Sequence, residues 1–235
     1  MRTRRWFPAL IIAATLALSP GLSAWASGAQ FPGVIGSMNV PVESLKDLRF
    51  RSIVPQRYDF SCGSAALATL LTYHYDRPTT EVETFDSMFR RGDQDLIREQ
   101  GFSMLDMKHY LEADQGLPAD GFRIGLDDLE NLGVPAIAMI ETRGYRHFVV
   151  IKGLKDGQVL VGDPALGVNS YTRNEFQRVW INDILFIIRE DVDLARYRFN
   201  ASETWAAVTR APIESGVVRS DLASFTLNLP RAGQW

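Results

Sequence analysis

The chain has 235 residues, 46% apolar, 23% charged and 11% aromatic, the composition of a globular protein with one domain plus extensions. A net charge of -3, with no basic stripe beyond the first five positions, argues against a nucleic-acid partner. Three dispersed histidines and a single cysteine make no ligand-spaced cluster, so neither a metal nor another cofactor is expected.

In chain order, the first element reads as a targeting segment. Arg2, Arg4 and Arg5 precede the apolar run ALIIAATLALS, and Ala24-Trp25-Ala26 offers small residues for cleavage before Ser27. Basic start, short apolar run and cleavage site describe a secretory signal peptide over residues 1–26. Pro20 and Gly21 end the run short of the roughly 20 apolar residues a membrane span needs. No stable span is therefore expected after cleavage, and the mature protein is expected in the periplasm. The stretch TRRWF leaves the Sec and twin-arginine routes open.

Residues 27–50 read as an irregular lead-in, punctuated by Pro32, Gly33 and Pro41. The run DFSCGSAALATLLTYHY follows, rich in Ala and Leu, and predicts a helix over 62–75. TTEVETFDSMFR predicts a second helix capped by Thr79 or Thr80, and FSMLDMKHYLEA a third, with Ser103 and Asp106 approximating a capping box. LDDLENLG predicts a short fourth, stopped by Gly133. After Pro135 the pattern changes. AIAMIE, RHFVVIKGL, QVLVGD and WINDILFII are short strand-like runs separated by ETRGY, KDG and GVNSYTRNEF. Helices followed by an antiparallel sheet make an α+β fold, with a domain over 51–190. Beyond it, residues 191–235 read as an extension with weak periodicity.

The lone cysteine sits where the first helix begins. In an oxidising envelope it is either a buried small hydrophobe or a free thiol kept for its reactivity. A reactive thiol wants a helix N-terminus and a neighbouring imidazole. His74 lies on the same helix, roughly 18 Å along the axis from Cys62, out of reach. His109 falls in the third helix and reads as structural or surface. His147 opens the strand HFVVIKGL, where a side chain can project from a sheet end. A hairpin centred near Lys155 sets Asp163 opposite His147; one centred at Asp156-Gly157 shifts the pairing by about three residues. An oxyanion needs donors beside the sulfur, for which the Cys62 amide and the upstream Gln56 are candidates. Phe102, Met104 and Tyr145 are candidates for a substrate groove, though such residues are commonly core.

Gln56, DFSCGSAALATLL, HFVVIKG, VLVGDPALG and EFQRVW together resemble the papain-like bacteriocin-processing cysteine peptidases that cut after double-glycine leaders. The resemblance implies a papain-like fold over about 50–190 with Cys62 as nucleophile, His147 as base, Asp163 as orienting carboxylate and Gln56 as oxyanion donor. The segments GFSMLDMK and GDPALG look like the stand-alone exported branch of that family, a member of which accompanies functional-amyloid secretion systems. A peptide or protein substrate follows, such as an exported amyloid subunit or a secretion component. Two other readings share the site or the fold: acyl transfer from the same thioester, and a non-enzymatic chaperone for an exported client.

Overall fold

The computed structural model describes residues 28–32, 37–41 and 44–208. The expected signal peptide and residues 209–235 of the expected extension lie outside the described residues. The chain divides after Glu43. Before that point β1 (Gly28–Pro32) and β2 (Ser37–Pro41) pair antiparallel, Gly28 opposite Pro41. The lead-in therefore contains an ordered pair of strands; Pro32 and Pro41 sit at strand ends, where their missing N–H costs no internal ladder bond.

The second unit opens with α1 (Leu45–Phe50), capped by Ser44, whose hydroxyl accepts from the Asp47 N–H at 3.0 Å. Six residues are too few to show a periodicity, which is why α1 hides in the sequence. Phe50 packs on Ile53, Leu160 and Val168. Next comes α2 (Cys62–His74), the centre of the fold. Its Ala and Leu side chains leave no polar stripe, and a helix apolar all round is stable only when surrounded. Leu67, Leu70 and Leu71 are fully buried, each contributing roughly 1.5–3 kcal/mol. Then follow α3 (Glu81–Arg91), with a complete Thr80–Glu83 capping box, α4 (Gln94–Gln100) and α5 (Met104–Tyr110), with a Ser103–Asp106 box. A π-helical turn, Leu111–Gln115, prolongs α5, and α6 (Leu126–Leu132) ends at Gly133 in the left-handed region.

Among the described residues of this unit, six strands form one antiparallel sheet. They are β3 (Ala119–Phe122), β4 (Ala136–Thr142), β5 (Tyr145–Lys155), β6 (Gln158–Asp163), β7 (Gly167–Thr172) and β8 (Trp180–Ile188), in the order β3-β8-β4-β5-β6-β7. The segment GVNSYTRNEF, expected as a separator, supplies β7 and the start of α7 (Arg173–Val179). As an edge strand β7 tolerates Asn169 and Ser170, and those polar residues mask its signal. Past the sheet, α8 (Val192–Arg198) and α9 (Ser202–Ala206) fold back, and Ala195 and Phe199 join the main core.

Candidate active site

Cys62 is the first residue of α2, a 13-residue helix with no acid in its first turn, so the positive end of the helix dipole acts there undiluted. The preceding turn is tied: Ser61 donates its hydroxyl to the Tyr58 carbonyl at 2.9 Å, and Ser64 donates to the Ser61 carbonyl at 2.8 Å. Gly63 is required by packing. A Cβ there would meet Met107 Cε at 2.9 Å and Phe102 Cβ at 3.1 Å, so glycine lets α2 seat against α5 with Cys62 at the surface of the core. Phe102, a groove candidate in the sequence, is buried, and Met104 packs partly buried against the same core. Cys62 itself is 7% exposed. Burial pushes its thiol up, against hydrogen bonding from the backbone at Phe148 and Gly63, and the nearby Asp163 charge pushes the same way as burial. Burial thus opposes the thiolate that its helix-end position alone favours.

His147 and Asp163 meet. His147 Nε2 lies 2.9 Å from Asp163 Oδ2, both side chains buried. The other carboxylate oxygen, Oδ1, accepts from the N–H groups of Ala165 at 2.8 Å and Leu166 at 3.2 Å. The pairing depends on an irregularity. The β5–β6 turn is the two-residue Asp156-Gly157, both at positive φ, with Lys155 opposite Gln158. A regular ladder from that turn would put Asp163 across from Val150, on the face opposite to His147. Instead the register shifts between Ile151 and Gly153, leaving Lys152 as an extra residue, and Val150 pairs with Gly162. Asp163 then falls across from Val149, which shares a face with His147. One bulge residue converts a pair on opposite faces into a hydrogen-bonded pair.

With Nε2 committed to Asp163, His147 Nδ1 is the free nitrogen, buried and without a hydrogen-bond partner. His147 and Cys62 line one cleft of about 410 Å³, with Phe102, Met139, Arg146 and Phe148 among its walls. Gln56 is held from behind: its N–H donates to the Pro164 carbonyl at 3.1 Å, tying it to the residue after Asp163. Its side-chain Oε1 is buried and unpartnered, and it lines a separate groove with Pro55, Pro164 and Ala165. Tyr145 joins these parts. Its ring stacks on His147 at 5.2 Å and 23°, and its hydroxyl donates to the Asp59 carbonyl in the turn before Cys62. Burial and the Cys62 charge push its phenol up, while the Gln56 amide beside it pulls the other way. Of the other histidines, His109 is exposed on α5 and His74 is buried at the far end of α2.

A thiol and an imidazole in one cleft, the imidazole held by a carboxylate, coincide with a match of residues 51–191 to the model of the Peptidase C39 family. The chain belongs to that family. It is a cysteine peptidase. The chain is 43% identical over 176 residues to the probable functional amyloid protease FapD of Pseudomonas aeruginosa, covering 74% of this chain and 77% of that one. FapD of Pseudomonas fluorescens is also 43% identical, over 154 residues, covering 66% and 68%. Among solved structures, the peptidase domain of Streptococcus ComA, a bi-functional ABC transporter involved in quorum sensing, aligns with a TM-score of 0.49. It is 20% identical and covers 58% of this chain and 96% of that domain.

Two features of this C39 peptidase carry predictions. The turn after Asp163 requires Gly167, at φ +79, where a Cβ would also meet the Arg49 backbone oxygen at 2.9 Å. Gly167→Ala is expected to lose on the order of 1–3 kcal/mol of stability, read as a lower urea midpoint, and to slow cleavage by loosening Asp163. The sequence offers Tyr145 only as groove or core. Its spacing from His147 is the signal that places it: residues i and i+2 of a strand share a face. Tyr145→Ala is expected to lower kcat about tenfold with KM little changed, since an aromatic stack contributes roughly 0.5–1.5 kcal/mol. Tyr145→Phe keeps the stack and should lose only about two- to threefold. A merely structural Tyr145 would instead lower the urea midpoint and leave turnover per folded molecule unchanged.

Proposed function

We propose that this cysteine peptidase is exported to the periplasm and processes a secreted or amyloid-forming client with Cys62, His147, Asp163 and Gln56. His147 Nδ1 takes the thiol proton as Cys62 attacks the peptide carbonyl, and the resulting imidazolium is stabilised by Asp163. The developing oxyanion is met by the Cys62 N–H and the Gln56 amide. His147 then returns the proton to the leaving amine, and water, activated by the same nitrogen, resolves the thioester. The observation that carries this reading is the division of labour on one ring. Nε2 is occupied by Asp163, so the only nitrogen available to a proton donor in the Cys62 cleft is Nδ1. Export rests on the basic and apolar N-terminus with its Ala-Trp-Ala site, and the amyloid-forming client on the likeness to the two FapD proteases.

The test is incubation of the purified protein with an amyloid-subunit precursor in ¹⁸O-water, followed by mass spectrometry of the products. New termini carrying ¹⁸O at the freshly made carboxyl group are expected. Cleaved product joined to an added amine, without ¹⁸O, would replace hydrolysis by acyl transfer. Binding of the intact client without any new terminus would replace it by a chaperone role.

A further inference from the structure

At the opposite end of α2 from Cys62 lies a second cavity, of about 710 Å³. Its walls are the last turn of α2, the β5 bulge and the α8–α9 corner, and they include Tyr73, His74, Lys152, Arg198, Asn200 and Ser202. Lys152 is the bulge residue, and a bulge re-aims the side chain it carries. It is 2% exposed. Its Nζ donates to the Ser52 carbonyl at 3.1 Å, lies 3.1 Å from His74 Nε2 and sits 5.3 Å from the Tyr73 ring centroid. Among the described residues no carboxylate pairs with it, and burial alone pulls the ammonium down to about 7. A buried ammonium without a counter-ion is a strongly unfavourable group to retain.

His74 compounds the imbalance. It is 1% exposed, and burial, followed by the Lys152 and Arg198 charges, holds its imidazole well below the usual range, hence neutral. With Nε2 accepting from Lys152, the ring carries its proton on Nδ1, and that atom is buried with no partner. The buried cationic donor Lys152 therefore lines a cavity in which its neutral neighbour His74 supplies no counter-charge. Arg198 adds a second cationic group at the rim, shared with Asp76 at 3.1 Å. The one carboxylate on the cavity wall, Glu203, is exposed and accepts from Ser202 Oγ at 3.1 Å.

We propose that this cavity is an anion-binding site, taking a small carboxylate or phosphate at the Lys152 ammonium. Arg198 meets the anion at the rim. None of these groups belongs to the Cys62 cleft, so the site stands independently of the catalytic assignment.

The experiment is NMR of the full chain labelled with ¹⁵N-histidine, titrated with inorganic phosphate and, separately, with acetate. Ionic strength is held constant with sodium chloride to remove general screening. A saturable shift of His74 Nε2, the ring nitrogen bonded to Lys152, is expected, with His147 unmoved and the midpoint at least about tenfold weaker in Lys152→Met, a loss on the scale of one charge-assisted hydrogen bond. Phosphate acting alone identifies a phosphate site; acetate acting equally well identifies a carboxylate site, as a peptide side chain or terminus would supply. Arg198→Gln, altered at the partly exposed rim, should weaken the midpoint as well and serves if Lys152→Met fails to fold. No His74 shift with either anion, or a shift of undiminished affinity in the variants, overturns the proposal.

Discussion

Cys62→Ala is expected to reduce client cleavage by roughly 10⁴-fold or more while leaving the fold intact. The chemical reason is that the covalent step has no second candidate in the cleft: Cys62 is the only cysteine of the chain, and among the described residues no hydroxyl side chain lines its walls. The structural reason is that the sulfur lies at the edge of the core. Gly63, Leu67 and the rest of α2 keep their packing, so the lost thiol leaves a small gap costing about 1 kcal/mol or less. Cleavage assayed alongside a urea unfolding curve separates the two effects. Residual cleavage at wild-type rate in a folded Cys62→Ala protein would remove Cys62 from the mechanism. Cys62→Ser should be nearly as inactive, because burial already pushes the thiol up and the far less acidic serine hydroxyl would be harder still to deprotonate.

The second large effect concerns the proposed base, His147, and its holder, Asp163. His147→Ala is expected to cost on the order of 10⁴-fold in kcat and to abolish rapid iodoacetamide labelling of Cys62 below the free-thiol pKa of about 8.5. Burial, which pushes the thiol up, sharpens that test. Labelling at neutral pH then depends on an imidazole to take the proton, so labelling that survives in the variant would deny the coupling. Asp163→Asn is expected to be less damaging than His147→Ala, yet still cost on the order of 10²–10³-fold. Asp163 Oδ1 accepts two backbone N–H groups, from Ala165 and Leu166. An asparagine would keep its oxygen there and turn its NH₂ toward His147 Nε2, favouring the tautomer with the proton on Nδ1, which cannot receive one from the thiol. Unchanged kcat in Asp163→Asn would show that the carboxylate contributes nothing to ring orientation.

Much of this was legible along the chain. Thr80, Ser103 and Gly133 mark their helix ends by local hydrogen bonding and backbone conformation alone, which need no tertiary partner. The central helix declares itself by an Ala/Leu run, and β4, β5, β6 and β8 by β-branched apolar runs. The elements that stayed hidden are short or at the margin: α1, α4, α8 and α9 have seven residues or fewer, and β3 and β7 are edge strands. Their stability comes from what they dock against, such as Phe50 on Leu160 and Phe199 in the main core, and docking leaves no periodic trace.

The sequence by itself determined the chemical inventory: one thiol, one histidine at a strand start, one aspartate before a proline, and a glutamine upstream. It left the hairpin register open between two centres, and the structure takes the one at Asp156-Gly157. A regular ladder from that turn would set Asp163 three residues from His147, and the bulge at Lys152 brings it back by one. Because side chains alternate faces along a strand, that single residue decides whether Asp163 lies on the His147 face or behind it. Tertiary packing makes that choice: the Asn200 N–H donates to the Lys152 carbonyl and the Asn200 side chain to the Leu154 carbonyl, holding the irregular backbone from outside the hairpin. A contact such as Asn200 to Leu154, between residues 46 positions apart, has no signature in either segment alone. Only the folded chain could therefore bring His147 and Asp163 together.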